Sequence, residues 1–271
     1  RLSEVDQWFA DFHKQQFGVQ TMAYFGFRFP RGGDERDPDQ KTGTYALHTL
    51  KDTETIARLA NGIKRFTLPD EFNYIKVYER IIKRGRSNQA ENSYNNLAQE
   101  YEDRRQYPRA ADMWKKFIGE YGAGQNNHRQ RRLDQIVKNW GRFEPNNMMA
   151  AGNKANVEYR YRNGAKVSFE AHAIKVEKLL DDVKAYLRGR TGQIDWQQTQ
   201  IGNIGYRLVE LNQNQYLGAK VANWDLDLKP RPNHVDARVT VTTPLSKAGA
   251  YLVTATMADG NVSRIIIWNT D

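Results

Sequence analysis

The sequence predicts a two-part α+β chain: an all-α helical-repeat module at the N-terminal end, then an antiparallel β-sandwich. Three observations carry this. Apolar residues recur at helical spacing through most of the first 140 residues. The period changes to two near Asn153. Seven short strand-like runs then follow, separated by Gly, Pro and Asn-Gly or Asp-Gly turn signals. The expected boundaries are a helical domain over residues 1–150 and a sandwich over 151–271, with one inserted helix near 178–188.

In the first part, Ser3 is placed to cap a helix whose apolar residues Val5, Trp8, Phe9 and Phe12 fall at helical spacing. Residues 28–43, with Pro30, Gly32, Gly33 and Pro38, break the pattern as a polar loop. Helical spacing resumes near Thr53, with Ile56, Leu59, Ala60 and Ile63 on one face. A further helix carries Phe72, Ile75, Tyr78, Ile81 and Ile82.

The strongest unit comes next. Tyr94, Leu97, Ala98 and Tyr101 form one amphipathic stripe, and Ala110, Trp114 and Phe117 form a second. Pro108 lies between them in a first helical turn, where its missing N–H costs little. Small residues at Ala98 and Ala110 let two antiparallel helices approach while Tyr101 and Trp114 fill the space beside them. This pattern resembles a tetratricopeptide repeat, whose unit is about 34 residues. Gly122 and Gly124 stand where that repeat has a Pro. Residues 59–81 read as a weaker copy. A closing helix with Leu133, Ile136, Val137 and Trp140 is expected to cover the end of the stack. The groove such a stack creates is lined, on this spacing, by Asn95, Gln99 and Arg105, the candidate protein-binding residues.

In the second part, Val157, Tyr159 and Tyr161 alternate with charged residues up to Asn163-Gly164, read as a hairpin into Val167, Phe169 and Ala171. Leu179 to Leu187 interrupts as a helix. Further strands are expected at 204–211, 224–228, 237–243, 250–257 and 262–268, the last two joined across Asp259-Gly260. Short strands with regular turns are those of an immunoglobulin-type sandwich.

The chemistry of catalysis is not legible. The five His are scattered, with no pair at metal-ligand spacing. Gly202 to Gly205 and Gly122 to Gly124 lack the Lys-Ser/Thr of a phosphate loop. Asp225 and Asp227 alternate with Trp224, Leu226 and Leu228, as the solvent face of a strand does. With no Cys, disulfides, thiol catalysis and cysteine metal sites are excluded. No cofactor or metal is expected, and the chain reads as a non-enzyme. The formal net charge is +9, yet residues 1–150 hold 25 Lys+Arg against 20 Asp+Glu and residues 151–271 hold 16 against 12. So even a spread disfavours nucleic acid, which selects a basic face. The densest basic cluster, Arg129, Arg131 and Arg132, reads as one turn of a solvated helix face. A mean hydropathy of −0.82 matches an extended, surface-rich chain. No apolar run approaches the ~20 residues that span a bilayer.

Three stretches together carry a broader resemblance: RAADMWKKFIGEYGAG (109–124), ANVEYRYRNGAKVSFEAHAIKVEKLLDDVKAYL (155–187) and RVTVTTPLSKAGAYLVTATMADGNVSRIIIWNTD (238–271). The order resembles the N-terminal region of bacterial alpha-2-macroglobulin-like proteins, in which a helical segment precedes macroglobulin-type β-sandwich domains. The resemblance covers most of residues 90–271, and the first 50 residues contribute nothing to it. It implies a non-catalytic structural or binding portion of a broad-spectrum endopeptidase trap, with proteases or other domains of the parent chain as partners. That family's covalent tether, where present, is a thioester built on a Cys-x-Glu-Gln stretch, which a chain without Cys does not hold. The chain opens on Arg1 rather than Met, as a processed or trimmed piece does. The resemblance then implies a leader lost upstream and a periplasmic, envelope or secreted parent, with the cytoplasm left open. The alternative reading is a protein-interaction scaffold that joins a tetratricopeptide-like module to an immunoglobulin-like domain.

Overall fold

A computed structural model describes residues 1–19, 45–59, 62–145, 149–150, 155–189, 192–199 and 201–270. The expected loop over 28–43 and the period change at Asn153 lie outside the described residues. The chain is mixed α+β and divides into two compact units: Arg1–Val137 with 233–235, and Lys138–Pro232 with 236–271.

In the first unit, helix α1 (Leu2–Phe17) precedes a two-stranded antiparallel hairpin of β1 (Glu54–Leu59) and β2 (Gly62–Thr67). Four helices follow: α2 (Tyr74–Lys83), α3 (Asn88–Asp103), α4 (Tyr107–Tyr121) and α5 (His128–Val137). The starts of α2 and α3 follow from their caps. The side chains of Asn73 and Ser87 accept from the backbone N–H of Lys76 and Ala90, satisfying donors that a helix start leaves open. Leu97, Ala98, Tyr101, Ala110, Trp114 and Phe117 are buried in one core with Tyr74, Ile75, Tyr78 and Ile81, and Tyr94 packs against it. Tyr94 stacks on Phe117 with ring centroids 5.6 Å apart, and Trp114 on Phe117 at 5.9 Å.

Several helical expectations are overturned. Glu54–Leu59 and Gly62–Thr67 form strands, so the helix read through Ile56, Leu59 and Ile63 does not exist, and with it goes the first helix of the weaker repeat copy. Gly62 takes φ 106°, a left-handed value that lets the chain reverse. Asn61-Gly62 was the hairpin signal in the sequence. Ser3 is not the cap of α1: Arg1 holds that position with no side-chain bond. The closing helix stops at Val137, and Trp140 opens strand β3 (Trp140–Phe143).

In the second unit, the strands are β3, β4 (Met149–Ala150), β5 (Asn156–Arg162), β6 (Lys166–Ile174), β7 (Leu217–Asp227), β8 (Ala237–Thr242), β9 (Gly249–Met257) and β10 (Val262–Thr270). They build a five-stranded sheet in the order β4-β10-β9-β6-β7 and a three-stranded sheet in the order β3-β5-β8. All pairings are antiparallel except the short β10–β4 pair. Both sheets contribute to one core: Val157, Tyr159 and Tyr161 from β5, Val167, Phe169 and Ala171 from β6, and Val253, Ala255 and Met257 from β9. A second cluster joins Ala250 and Leu252 to Leu179 and Val183 of α6 (Val176–Gly189). Strand β9 is thus packed on both faces, which explains its near-continuous apolar run.

Asn163-Gly164 does turn the chain, with Asn163 at φ 62°, but it does not make a hairpin. Strand β5 pairs with β3 and β8, whereas β6 pairs with β7 and β9, so this turn carries the chain from one sheet to the other. Each strand buries its apolar side chains across the shared core instead of lying beside its neighbour. A side chain at Gly164 would meet Met257 Cε at 1.9 Å, so the flexible end of that methionine would have to move aside. The expected strand at 204–211 is a helical segment, α8 (Ile204–Val209), preceded by the short helix α7 (Trp196–Thr199). Ile204, Arg207 and Leu208 are buried while Tyr206 is exposed, the spacing of a helix turn rather than of a strand. Asp259-Gly260 joins β9 to β10 as expected, in register from Val262 opposite Thr256 to Asn269 opposite Gly249.

Candidate functional site

Two surfaces of the helical unit stand out, and both arise from where its polar residues went.

The first is α1. Its apolar residues Val5, Trp8, Phe9 and Phe12 recur at helical spacing, with Leu2 one turn before them, and an apolar stripe of this kind ordinarily faces a core. It faces outward. Trp8 is 84% exposed, Leu2 66%, Val5 65%, Phe12 58% and Phe9 38%. The helix is attached instead through its polar side. Gln7, His13 and Lys14 are buried. Asp6 pairs with Arg80 at 2.9 Å and Arg84 at 2.6 Å. Asp11 Oδ1 accepts from the Tyr78 hydroxyl at 2.6 Å, Gln7 Nε2 at 2.8 Å and Asn96 Nδ2 at 3.2 Å. Lys14 Nζ donates to the backbone and side-chain oxygens of Asn96, both at 3.3 Å. Burial pulls the Lys14 ammonium below its usual range, against the attraction of Glu100, Asp103 and Asp11. Against its own desolvation, the bonds from Arg80 and Arg84 hold Asp6 below the usual carboxylate range. His13 collects Phe9, Phe12 and the exposed Phe72 around its ring, at centroid distances of 4.2, 5.3 and 5.2 Å. The result is an aromatic patch on a firmly held helix.

The second is a recess of about 500 Å³ between α3 and α5. Two of the three residues read as groove-lining, Asn95 and Gln99, line it; Arg105 does not. Arg105 sits in the α3–α4 turn at φ 55°. The remaining lining comes from Trp114, His128, Arg131, Arg132 and Gln135. Trp114, expected in the core, is buried there while its indole N–H borders the recess, and Arg131 and Arg132, expected on a solvated turn, are exposed. Leu133 and Ile136 do face the core, which leaves Arg131, Arg132 and Gln135 exposed on the opposite side of α5. Arg129 departs from that reading. It is buried, lies 3.9 Å above the Phe117 ring, and donates to the carbonyls of Tyr121 at 2.9 Å and Gly122 at 3.0 Å, at the C-terminal end of α4. It also pairs with Glu91.

The helical unit also holds a buried ionic cluster. Glu100 and Arg104 are fully buried one helical turn apart, with Nε to Oε1 at 2.7 Å. The Tyr74 hydroxyl donates to Glu100 at 2.6 Å and accepts from Arg104 at 2.9 Å. Arg104 also reaches the Lys51 carbonyl at 3.1 Å, fixing the hairpin region to α3. Its tight partners identify it as structural.

Asp225, read as part of the solvent face of a strand, pairs with Lys166 at 2.8 Å on the exposed face of β7. His172 bonds to Glu170. Among the described residues no group of three or more His, Cys, Asp or Glu is placed to hold a metal ion, and no helix is long and apolar enough to cross a membrane.

No protein-family model matches this chain, and no curated protein sequence matches it. Among solved structures, the native conformation of E. coli alpha-2-macroglobulin, from single-particle cryo-electron microscopy, is similar at 16% identity with a TM-score of 0.27. The match covers 50% of this chain and 8% of that one. This chain therefore spans a small fraction of that protein's length, and at such a TM-score the likeness carries no argument about function.

Proposed function

We propose that this chain is a non-catalytic, protein-binding portion of a larger alpha-2-macroglobulin-like endopeptidase trap, and that α1 is its docking face. The observation that carries the binding part is the orientation of α1. A helix attached through Asp6, Asp11 and Lys14, with Trp8 and Phe12 turned to solvent, leaves a contiguous aromatic surface. Surfaces of that kind mark interaction sites. Covering each large apolar side chain there contributes about 1.5–3 kcal/mol, enough for a few residues to anchor a partner domain. The trap assignment is supported by the sequence resemblance over residues 109–124, 155–187 and 238–271. The parent protein would be placed in the periplasm or envelope, and its reactive parts would lie outside this chain.

The test is to incubate the full-length parent with several unrelated endopeptidases and assay large and small substrates. Trapping predicts loss of activity on large substrates alone; undiminished activity on both overturns the inhibitor reading. A second reading, an interaction scaffold, is favoured by the α3–α4 pair. Its buried Leu97, Ala98, Tyr101, Ala110, Trp114 and Phe117 support a tetratricopeptide-like module, which this reading joins in sequence to an immunoglobulin-like domain. Under that reading the proteases are untouched, while Trp8→Ser with Phe12→Ser abolishes capture of the parent's own partner.

A further inference from the structure

We propose that the recess between α3 and α5 is a carboxylate-binding site, taking an acidic side chain or a chain terminus of a partner polypeptide. This goes beyond the docking role of α1 and rests on different residues. Two of the recess's donors already grip a carboxylate of the chain itself. The Trp114 indole N–H donates to Glu102 Oε1 at 2.6 Å, and Arg132 pairs with Glu102 Oε2. The geometry for holding such a group is therefore built. Beside this pair stands Arg131, exposed on the same side of α5 and without a carboxylate partner among the described residues.

The amides extend the polar lining. Gln99 Nε2 donates to Asn95 Oδ1 at 3.4 Å, a long contact that a ligand oxygen replaces at little cost. Arg132 Nη1 reaches Gln135 Oε1 at a similarly long 3.4 Å. The residues that line the recess include two arginines, Arg131 and Arg132, and no carboxylate, and Glu102 reaches it only through its pairing with Arg132 and Trp114. A guanidinium fork takes a carboxylate through two parallel bonds. The volume of about 500 Å³ suits a side chain or the last residue of a peptide. Nothing in this arrangement depends on the α1 stripe, and a failure here leaves the docking role untouched.

The experiment is an NMR titration of the full 271-residue chain that follows the Trp114 indole N–H with three probes. Acetyl-Gly-Gly-Glu-Gly-amide presents a side-chain carboxylate and acetyl-Gly-Gly-Gln as the free acid presents a terminal one. Acetyl-Gly-Gly-Gln-Gly-amide is their neutral twin. Either acid is expected to shift the indole resonance, and which one shifts it more identifies the source; the neutral twin is expected to leave it in place. Arg131→Ala, on an exposed side chain of a helix that alanine supports, is expected to weaken acid binding about tenfold. Glu102→Gln is expected to tighten it, because the internal competitor loses its charge. Equal shifts from the neutral twin, no shift from either acid, or an Arg131→Ala affinity equal to that of the parent sequence would overturn the proposal. If Glu102→Gln fails to fold, Arg131→Ala decides alone.

Discussion

The Glu100 carboxylate and the Arg104 guanidinium lie at zero exposure, one turn apart on α3, with the Tyr74 hydroxyl closing a triangle between them. Burial drives the Tyr74 hydroxyl far above its ordinary range, so it stays protonated and serves as both donor and acceptor. Glu100 Oε2 has no hydrogen-bond partner among the described residues, so desolvation is only partly offset. Breaking one side of such a pair leaves a lone buried charge, and Arg104→Ala should lose about 3–5 kcal/mol in chemical denaturation. Replacing both members, Glu100→Leu with Arg104→Met, should recover most of that loss. Asp103, beside this cluster, is pushed up to about 6 by desolvation and by the Glu100 charge, against the pull of Lys14. Its folded pKa exceeds its unfolded value, so its stabilising contribution is present below the unfolded pKa and is lost as pH rises through about 6. Asp103 is exposed to solvent, which screens these charges, so Asp103→Asn should raise the melting temperature only slightly at pH 7.5, and the gain should shrink toward zero near pH 4.

At the scale of elements, α1 inverts the usual rule that a helix buries its apolar stripe. Its stability within the unit should then depend on its polar side. Trp8→Ser and Phe12→Ser should each change global stability by no more than about 0.5 kcal/mol. Asp11→Ala, which removes three bonds to Tyr78, Gln7 and Asn96, should lower the hydrogen-exchange protection of α1 by about 1–3 kcal/mol. Periodicity found α1 as a helix but not its facing, since apolar spacing shows that a helix has two faces and not which one a neighbour covers. The α3–α4 pair was legible because Leu97, Ala98, Tyr101, Ala110 and Trp114 satisfy propensity, spacing and size complementarity together. Residues 54–67 were not, because Ile56 and Ile63 lie two helical turns apart and mimic a helix, while the decisive Asn61-Gly62 sits between them. Asn163-Gly164 was read correctly as a turn and wrongly as a hairpin. A turn fixes local direction, whereas the partner of a strand is set by distant strands such as β8 and β9. Asn95 and Gln99 of the recess followed from the helical period of α3. Arg131 and Arg132 did not, because only the packing of α5 turns them toward α3.

At the scale of the whole molecule, the helical unit and the β unit each have their own core, with Tyr74, Trp114 and Phe117 in one and Tyr159, Phe169 and Val253 in the other. Neither core accounts for the aromatic stripe of α1, and that stripe is where the proposed role as a binding portion of a larger protein meets a measurement. The most direct one is hydroxyl-radical footprinting, read by mass spectrometry, of Trp8 and Phe12 in the isolated 271-residue chain and in the full-length parent. Trp114, buried, and Trp196, 66% exposed, serve as internal references. Docking through α1 predicts that Trp8 and Phe12 are oxidised as readily as Trp196 in the isolated chain and are protected in the parent. Equal oxidation of Trp8 in both would contradict it.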